Sequence, residues 1–264
     1  MSEMAETTKP GRAPRLWRTL RHGLREVWDA LGLMIGASLT VFLVGFAAPL
    51  AAFQVLSPSP AGLLAAAALL ILLGGPICAG LHLLCFRVLL HDEPSYGDIW
   101  SGFARLFAPA VGLAALQLGL SLLLLLSAVT YIARGGVGFT LLGIATGYLL
   151  LFWCLCMLYQ WPVLVAGELR IIQRDDGTRP GLRSVLRNAL LMAGSAPGYA
   201  AGLGAAIILL AVPLVLSGVG AALLGAGTLA MLTTQAAHDQ FVRFGLLPEP
   251  PDPDAPVQDP GFRV

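Results

Sequence analysis

The stretch Phe139 to Ala166, FTLLGIATGYLLLFWCLCMLYQWPVLVA, contains no Asp, Glu, Lys or Arg. As a helix it exceeds the ~20 residues needed to cross ~30 Å of hydrocarbon. Working outward, further apolar tracts run from Leu31 to Val55, Ala61 to Phe86, Leu106 to Ile132, Pro197 to Leu216 and Val219 to Ala236. The chain of 264 residues is 57% apolar and only 12% charged, against roughly a quarter charged in soluble domains. The predicted fold class is therefore all-α: a polytopic membrane protein of six transmembrane helices with cytoplasmic interfacial amphipathic helices. Pro213 lies inside the fifth tract, and only Ser217 and Gly218 separate the last two. One helix through both would be about twice as long as the bilayer is thick, so a tight hairpin is expected.

The charges sit between the tracts. With the amino terminus inside, every basic residue except Arg134 falls on the cytoplasmic side, which satisfies the positive-inside rule and places both termini in the cytoplasm. The external connections are short and nearly chargeless, too small for a catalytic or binding domain. A net charge of +1 gives no nucleic-acid footprint. Residues 1–14 and the Pro-rich acidic residues 246–264 read as disordered cytoplasmic tails around a six-span domain at 30–245. Lys9 and Arg12 precede no short apolar core, so no cleaved signal peptide is expected.

Three cytoplasmic segments have helical periodicity. Over 15–29, Leu16, Trp17, Leu20, Leu24, Val27 and Trp28 form an apolar stripe, with Arg18, Arg21, His22 and Arg25 mostly off it; this predicts a basic interfacial anchor on anionic lipid. In the next loop Ser95 and Asp98 suit a capping box, and Tyr96, Trp100, Phe103 and Phe107 recur at helical spacing. In the third, Leu182, Val185, Leu186, Ala189 and Leu190 oppose Arg183 and Arg187. The last two loops belong to similar units, Pro76 through Gly80 to Pro109 and Pro162 through Gly167 to Pro197. They read either as a parallel repeat about an axis along the membrane normal or as two unrelated helical hairpins.

Catalytic spacings such as HExxH, GxSxG and a Walker loop are absent from the sequence. No Asp or Glu lies near the middle of a tract, where ion-coupled pumps and intramembrane proteases usually need one, so no catalytic residue, cofactor or metal is expected. Cys78, Cys85, Cys154 and Cys156 all lie in apolar tracts, against a disulfide framework. The helix-end polar residues His82, Arg87, Glu168, His238 and Asp239 read either as a gate or solute-contacting cluster, with a Glu168–Arg87 pair, or as snorkelling charges that fix helix depth. Gln117 and Gln160 suit interhelical hydrogen bonds. Gly32/Gly36, Gly143/Gly147 and Gly198/Gly202 are GxxxG spacings for helix packing, within the chain or in a dimer. Trp28, Trp100, Tyr159, Trp161 and Tyr199 suit an aromatic belt. Helix kinks are expected at Pro76, Pro162 and Pro197.

Particular residues then resemble a known family. Gly75-Pro76, Ala79, Arg87 and Asp98-Ile99-Trp100-Ser101-Gly102-Phe103 look like the second helix and first cytoplasmic loop of the YesL-like bacterial membrane proteins. Leu158-Tyr159-Gln160-Trp161-Pro162-Val163, Arg187-Asn188-Ala189-Leu190 and Pro197 look like that family's later helix and loop. The likeness spans Leu31 to Gly245, and departs where Leu73 and Gly74 replace a Thr before Gly75 and where the first span carries Ser38 and Thr40 rather than Asn. The resemblance implies a multi-pass protein of the bacterial cytoplasmic membrane, associated with carbohydrate uptake, and supplies no catalytic residues. The expected function is a non-enzymatic accessory or regulatory component. Asp98, Trp100, Phe103, Arg183, Arg187 and Asn188 are its candidate loop residues, either as docking elements toward another transport subunit or a second copy of the chain or as lipid-facing struts. The alternatives are a small-solute permease, favoured by helices broken at Pro49, Pro76 or Pro162, and an intramembrane enzyme built on Glu168, His82 and His238.

Overall fold

The computed structural model describes residues 16–55, 59–172, 181–218 and 220–248. The tail expected at 1–14 and all of the tail expected at 246–264 past residue 248, with Arg174 and Arg179, lie outside them. Among the described residues every regular element is helical. The helices are α1 (Leu16–Asp29), α2 (Leu31–Val55), α3 (Pro60–Leu89), α4 (Gly97–Arg105), α5 (Phe107–Arg134), α6 (Val137–Glu168), α7 (Leu182–Ser195), α8 (Pro197–Leu216) and α9 (Ala226–Arg243).

Helices α2, α3, α5, α6 and α8 are long and apolar enough to cross a membrane by length and composition, as in a multi-pass membrane protein. The sixth tract differs. It enters α9 through a π-helical turn, Ala221–Gly225, and the second half of α9 carries Gln235, His238, Asp239, Gln240 and Arg243. Such a helix tolerates polar residues because most of its surface is covered: twelve of its residues, from Gly227 to Phe241, are buried. Two further π turns interrupt α2 at Val41–Ala47 and α3 at Leu70–Gly74, and they abut, since a Cβ on Gly45 would lie 3.8 Å from the Gly74 Cα.

Local chemistry sets the helix ends. Ser59 accepts a 3.1 Å hydrogen bond from the Gly62 amide with Pro60 opening the helix, the preferred N-terminal arrangement. Gly135 and Gly136, at φ 68° and 82°, reverse the chain between α5 and α6 in a conformation that penalises a side chain. The expected break between α8 and α9 falls at Gly218, φ 60°. Pro76 sits in the first turn of the regular segment after the α3 π turn, Pro197 opens α8, and Pro162 lies inside an uninterrupted α6.

The bundle has two unlike ends. Helices α3, α6 and α9 finish at one of them, where α1, α4 and α7 pack around them; this is the charged end. Here lie the buried large side chains, in one cluster around Phe86, Tyr159, Val163, Val185, Leu203 and Phe241 and another around Met34, Ile77, Leu84, Ile99 and Met231. Leu247 packs on the first cluster, so ordered structure runs past the expected boundary at 246. At the apolar end Leu50, Val55, Leu64, Leu126, Val137, Leu209 and Leu216 are exposed. Its one charge among the described residues, Arg134, lies 5.6 Å above the Phe139 ring.

Candidate functional site

The charged end gathers the polar side chains, in four separate groups. In the first, the Arg87 Nη1 lies 3.0 Å from the Asp98 Oδ1, while Asp98 Oδ2 accepts from the Ser95 amide at 2.8 Å. The partner of Arg87 is thus Asp98 rather than Glu168. The α3–α4 connection folds straight back, and Gly80 and Gly102 let the two helix backbones touch: a Cβ on Gly102 would lie 2.7 Å from the Gly80 Cα, and one on Gly80 would overlap the Ile99 carbonyl. The carboxylate half of the expected capping box is formed, and the same carboxylate holds the arginine.

His82 makes the second group. Its Nδ1 bonds the Cys78 carbonyl oxygen at 2.8 Å, its Nε2 lies 3.3 Å from the Thr233 hydroxyl, and its ring stacks on Trp161 with centroids 6.5 Å apart. His82 is therefore tied to α6 and α9 in the interior. In the third group Gln117 donates to Gln160 across α5 and α6 at 2.7 Å, the interhelical role expected of both.

The fourth group was not legible in the sequence. Thr19 of α1 donates to Asp239 Oδ2, the Tyr199 hydroxyl lies 2.8 Å from the Thr19 oxygen, and Gln235 donates to Asp239 Oδ1 at 2.9 Å. Asp239 is thus held by neutral donors from α1 and α9, with α8 joined through Tyr199, where a snorkelling charge was the alternative. The Tyr159 hydroxyl, buried without a hydrogen-bond partner among the described residues, lies within electrostatic reach of this carboxylate. The one available signal was a lone hydroxyl, Thr19, in an apolar stripe. That stripe is divided between two environments. Thr19, Gly23 and Val27 are buried, with Gly23 against Leu232 of α9, whereas Trp17, Leu24 and Trp28 are exposed beside Arg18, Arg21 and Arg25.

Among the described residues, five keep buried side-chain atoms with no hydrogen-bond partner: Arg87 Nε, the Tyr159 hydroxyl, Gln160 Nε2, His238 Nδ1 and both amide atoms of Gln240. All are on α3, α6 and α9. Buried polar groups normally have partners, often ordered water. Glu168 ends α6, half-buried, and no convergent Glu168, His82 and His238 set appears among the contacts above. Among the described residues no three His, Cys, Asp or Glu side chains are placed to hold a metal ion.

The candidate docking residues divide: Asp98 is buried against Arg87, Phe103 is half-buried on the second core cluster, and Trp100, Arg183 and Arg187 are exposed. Trp100 is exposed and starts an aromatic ladder, 6.1 Å to Phe103 and then 5.6 Å to Phe107, with Arg105 exposed nearby. Arg183 and Arg187 are exposed and Asn188 half-buried on α7. One glycine of each GxxxG pair, Gly36, Gly143 and Gly202, packs inside the chain, while a Cβ on Gly32, Gly147 or Gly198 would meet nothing within 4 Å. Comparisons with protein-family models, curated proteins and solved structures return no match.

Proposed function

We propose that the chain is a six-span protein of the bacterial cytoplasmic membrane, with both termini inside, acting as a non-enzymatic accessory or regulatory component of a carbohydrate-uptake system. In this reading α9 with its preceding π turn is the sixth crossing, its polar half lodged among helices rather than in lipid. Helices α1, α4 and α7 lie at the cytoplasmic boundary, their arginines toward anionic lipid headgroups. The observation that carries the accessory role is the ladder of exposed Trp100, half-buried Phe103 and exposed Phe107 beside Arg105, since aromatic residues with arginine are the usual anchors of a protein interface. The carbohydrate connection rests on the YesL-like resemblance alone. The partner is another transport subunit or a second copy of the chain.

Crosslinking and mass spectrometry in native membranes test this. The joint substitution Trp100→Ala and Phe103→Ala is expected to remove a partner crosslink that the unaltered chain forms. A crosslink pattern unchanged by it contradicts the docking role.

A permease is the second reading, supported by the unpartnered polar atoms on α6 and α9 and by the three π turns, a feature frequent at functional sites. Sugar flux into proteoliposomes carrying the chain alone is the result that favours it.

A further inference from the structure

The three helices that end at the charged end, α3, α6 and α9, end alike. At each terminus two backbone bonds close a Schellman turn: His91 N to Val88 O and Asp92 N to Arg87 O; Arg170 N to Gly167 O and Ile171 N to Ala166 O; Gly245 N to Val242 O and Leu246 N to Phe241 O. The residue in the left-handed region is His91, Arg170 and Gly245, at φ 54°, 58° and 73°. The helices also meet one another: His82 bonds Thr233 and stacks on Trp161, and Phe86 stacks on Phe241.

Each of the three is clad by one amphipathic helix: α4 on α3 through Gly80 and Gly102, α7 on α6 in the first core cluster, and α1 on α9 through Gly23 and Thr19. Helices α1 and α7 are both 14 residues long, and both bury their fourth, eighth and twelfth residues: Thr19, Gly23 and Val27; Val185, Ala189 and Ala193. Each amphipathic helix then breaks at a single residue, Ala30, Leu106 or Ala196, and an outgoing apolar helix follows.

The sixth residue of every outgoing helix is a glycine, Gly36 in α2, Gly112 in α5 and Gly202 in α8. Each faces the start of the amphipathic helix of a neighbouring group: a Cβ on Gly36 would lie 3.3 Å from Tyr96, one on Gly112 3.8 Å from Leu182, and one on Gly202 2.8 Å from Leu16. The separation from Leu16 to Gly36 equals that from Leu182 to Gly202; from Tyr96 to Gly112 it is one helical turn shorter. A second correspondence joins α3 to α9. Gly75 packs on Ala110 and Ala114, which flank Gly112 two residues either side, and Gly227 packs on Met34 and Ser38, which flank Gly36 in the same way.

We propose that the chain is a closed ring of three copies of one unit, an incoming helix, an amphipathic cross-piece and an outgoing helix. The third copy is divided between the chain ends, so the groove of α8 and α9 is the specific seat of the chain's own N-terminal helix α1. The two-unit repeat, one of the two readings open in the sequence, is part of this ring, and its third member is hidden because α1 precedes α9 in the chain. Helix α1 is then a structural cross-piece equivalent to α4 and α7 and stays on the body; it is not a tether that comes away with lipid. The assignment rests on contacts within the chain and stands whether or not the proposed function holds.

The test uses the full chain with Cys78, Cys85, Cys154 and Cys156 replaced by Ala, in native membranes. Three cysteine pairs, Tyr96→Cys with Gly36→Cys, Leu182→Cys with Gly112→Cys, and Leu16→Cys with Gly202→Cys, are treated with a short bis-maleimide. The ring predicts that all three close within one chain, in yields alike to within about twofold. If the Leu16 and Gly202 pair stays open while the other two close, or joins two copies, the ring is wrong. Should that variant fail to accumulate, Thr19→Cys with Tyr199→Cys reports the same seat, and an open pair there overturns the proposal equally.

Discussion

The charged end and the apolar end of the bundle are built from the same helices by opposite rules. At the charged end α3, α6 and α9 bury nearly every side chain and carry the polar groups inward, with His82, Gln160 and Asp239 all bonded across helices. At the apolar end the same helices and their neighbours expose leucines, such as Leu209 at 75% and Leu64 at 71%. In water this would be an inverted protein. Around hydrocarbon both arrangements are expected, because lipid tails accept exposed leucine while unpaired polar groups must be enclosed. The contrast teaches that specificity of packing resides at the charged end, and that the apolar end is specified mainly by length.

Substitutions at the two ends should separate accordingly. The largest effect is expected for Gly80→Leu, where a side chain meets the backbone of Ile99. Overpacking ordinarily costs ~1–3 kcal/mol, and a backbone clash should exceed this and abolish the monodisperse peak in size-exclusion chromatography. Gly147→Leu, into open space at the other end, should leave that peak unchanged. Next, Met231→Ala empties a fully buried site and should lower stability by roughly 2–5 kcal/mol in reversible denaturation from mixed micelles, whereas Leu209→Ala should change it by less than about 0.5 kcal/mol. Asp98→Ala removes both the partner of Arg87 and the bond to the Ser95 amide. A loss of about 1–3 kcal/mol is expected, since Arg87 keeps some access to solvent. The smallest effect belongs to Gln117→Leu, near 0.6 kcal/mol for a bond between helices, and pairing it with Gln160→Leu should return part of that loss in a double-mutant cycle.

How much was legible follows the same division. The tracts at Leu31 to Val55 and Pro197 to Leu216 coincide with helices, because an uncharged apolar run of that length fixes its own extent. What the sequence concealed depends on rotation and neighbours. Similar depth makes a Glu168–Arg87 pair available, yet the short α3–α4 connection delivers Asp98 first. The stripe on α1 read as one lipid-facing surface, but Thr19 and Gly23 turn part of it onto α9. The π turns carry no distinctive residue pattern in the sequence, and a repeat divided between the chain ends leaves no collinear trace.

The central claim is that hydrocarbon surrounds the apolar end. Nitroxide spin labels at positions 64, 126 and 209, with position 231 as the buried control, test it by collision rates with oxygen and with a polar nickel chelate in lipid nanodiscs. The account predicts high oxygen and negligible nickel accessibility at the first three, and low accessibility to both at 231. Nickel accessibility at Leu64, Leu126 and Leu209 equal to that of a freely hydrated label would contradict it.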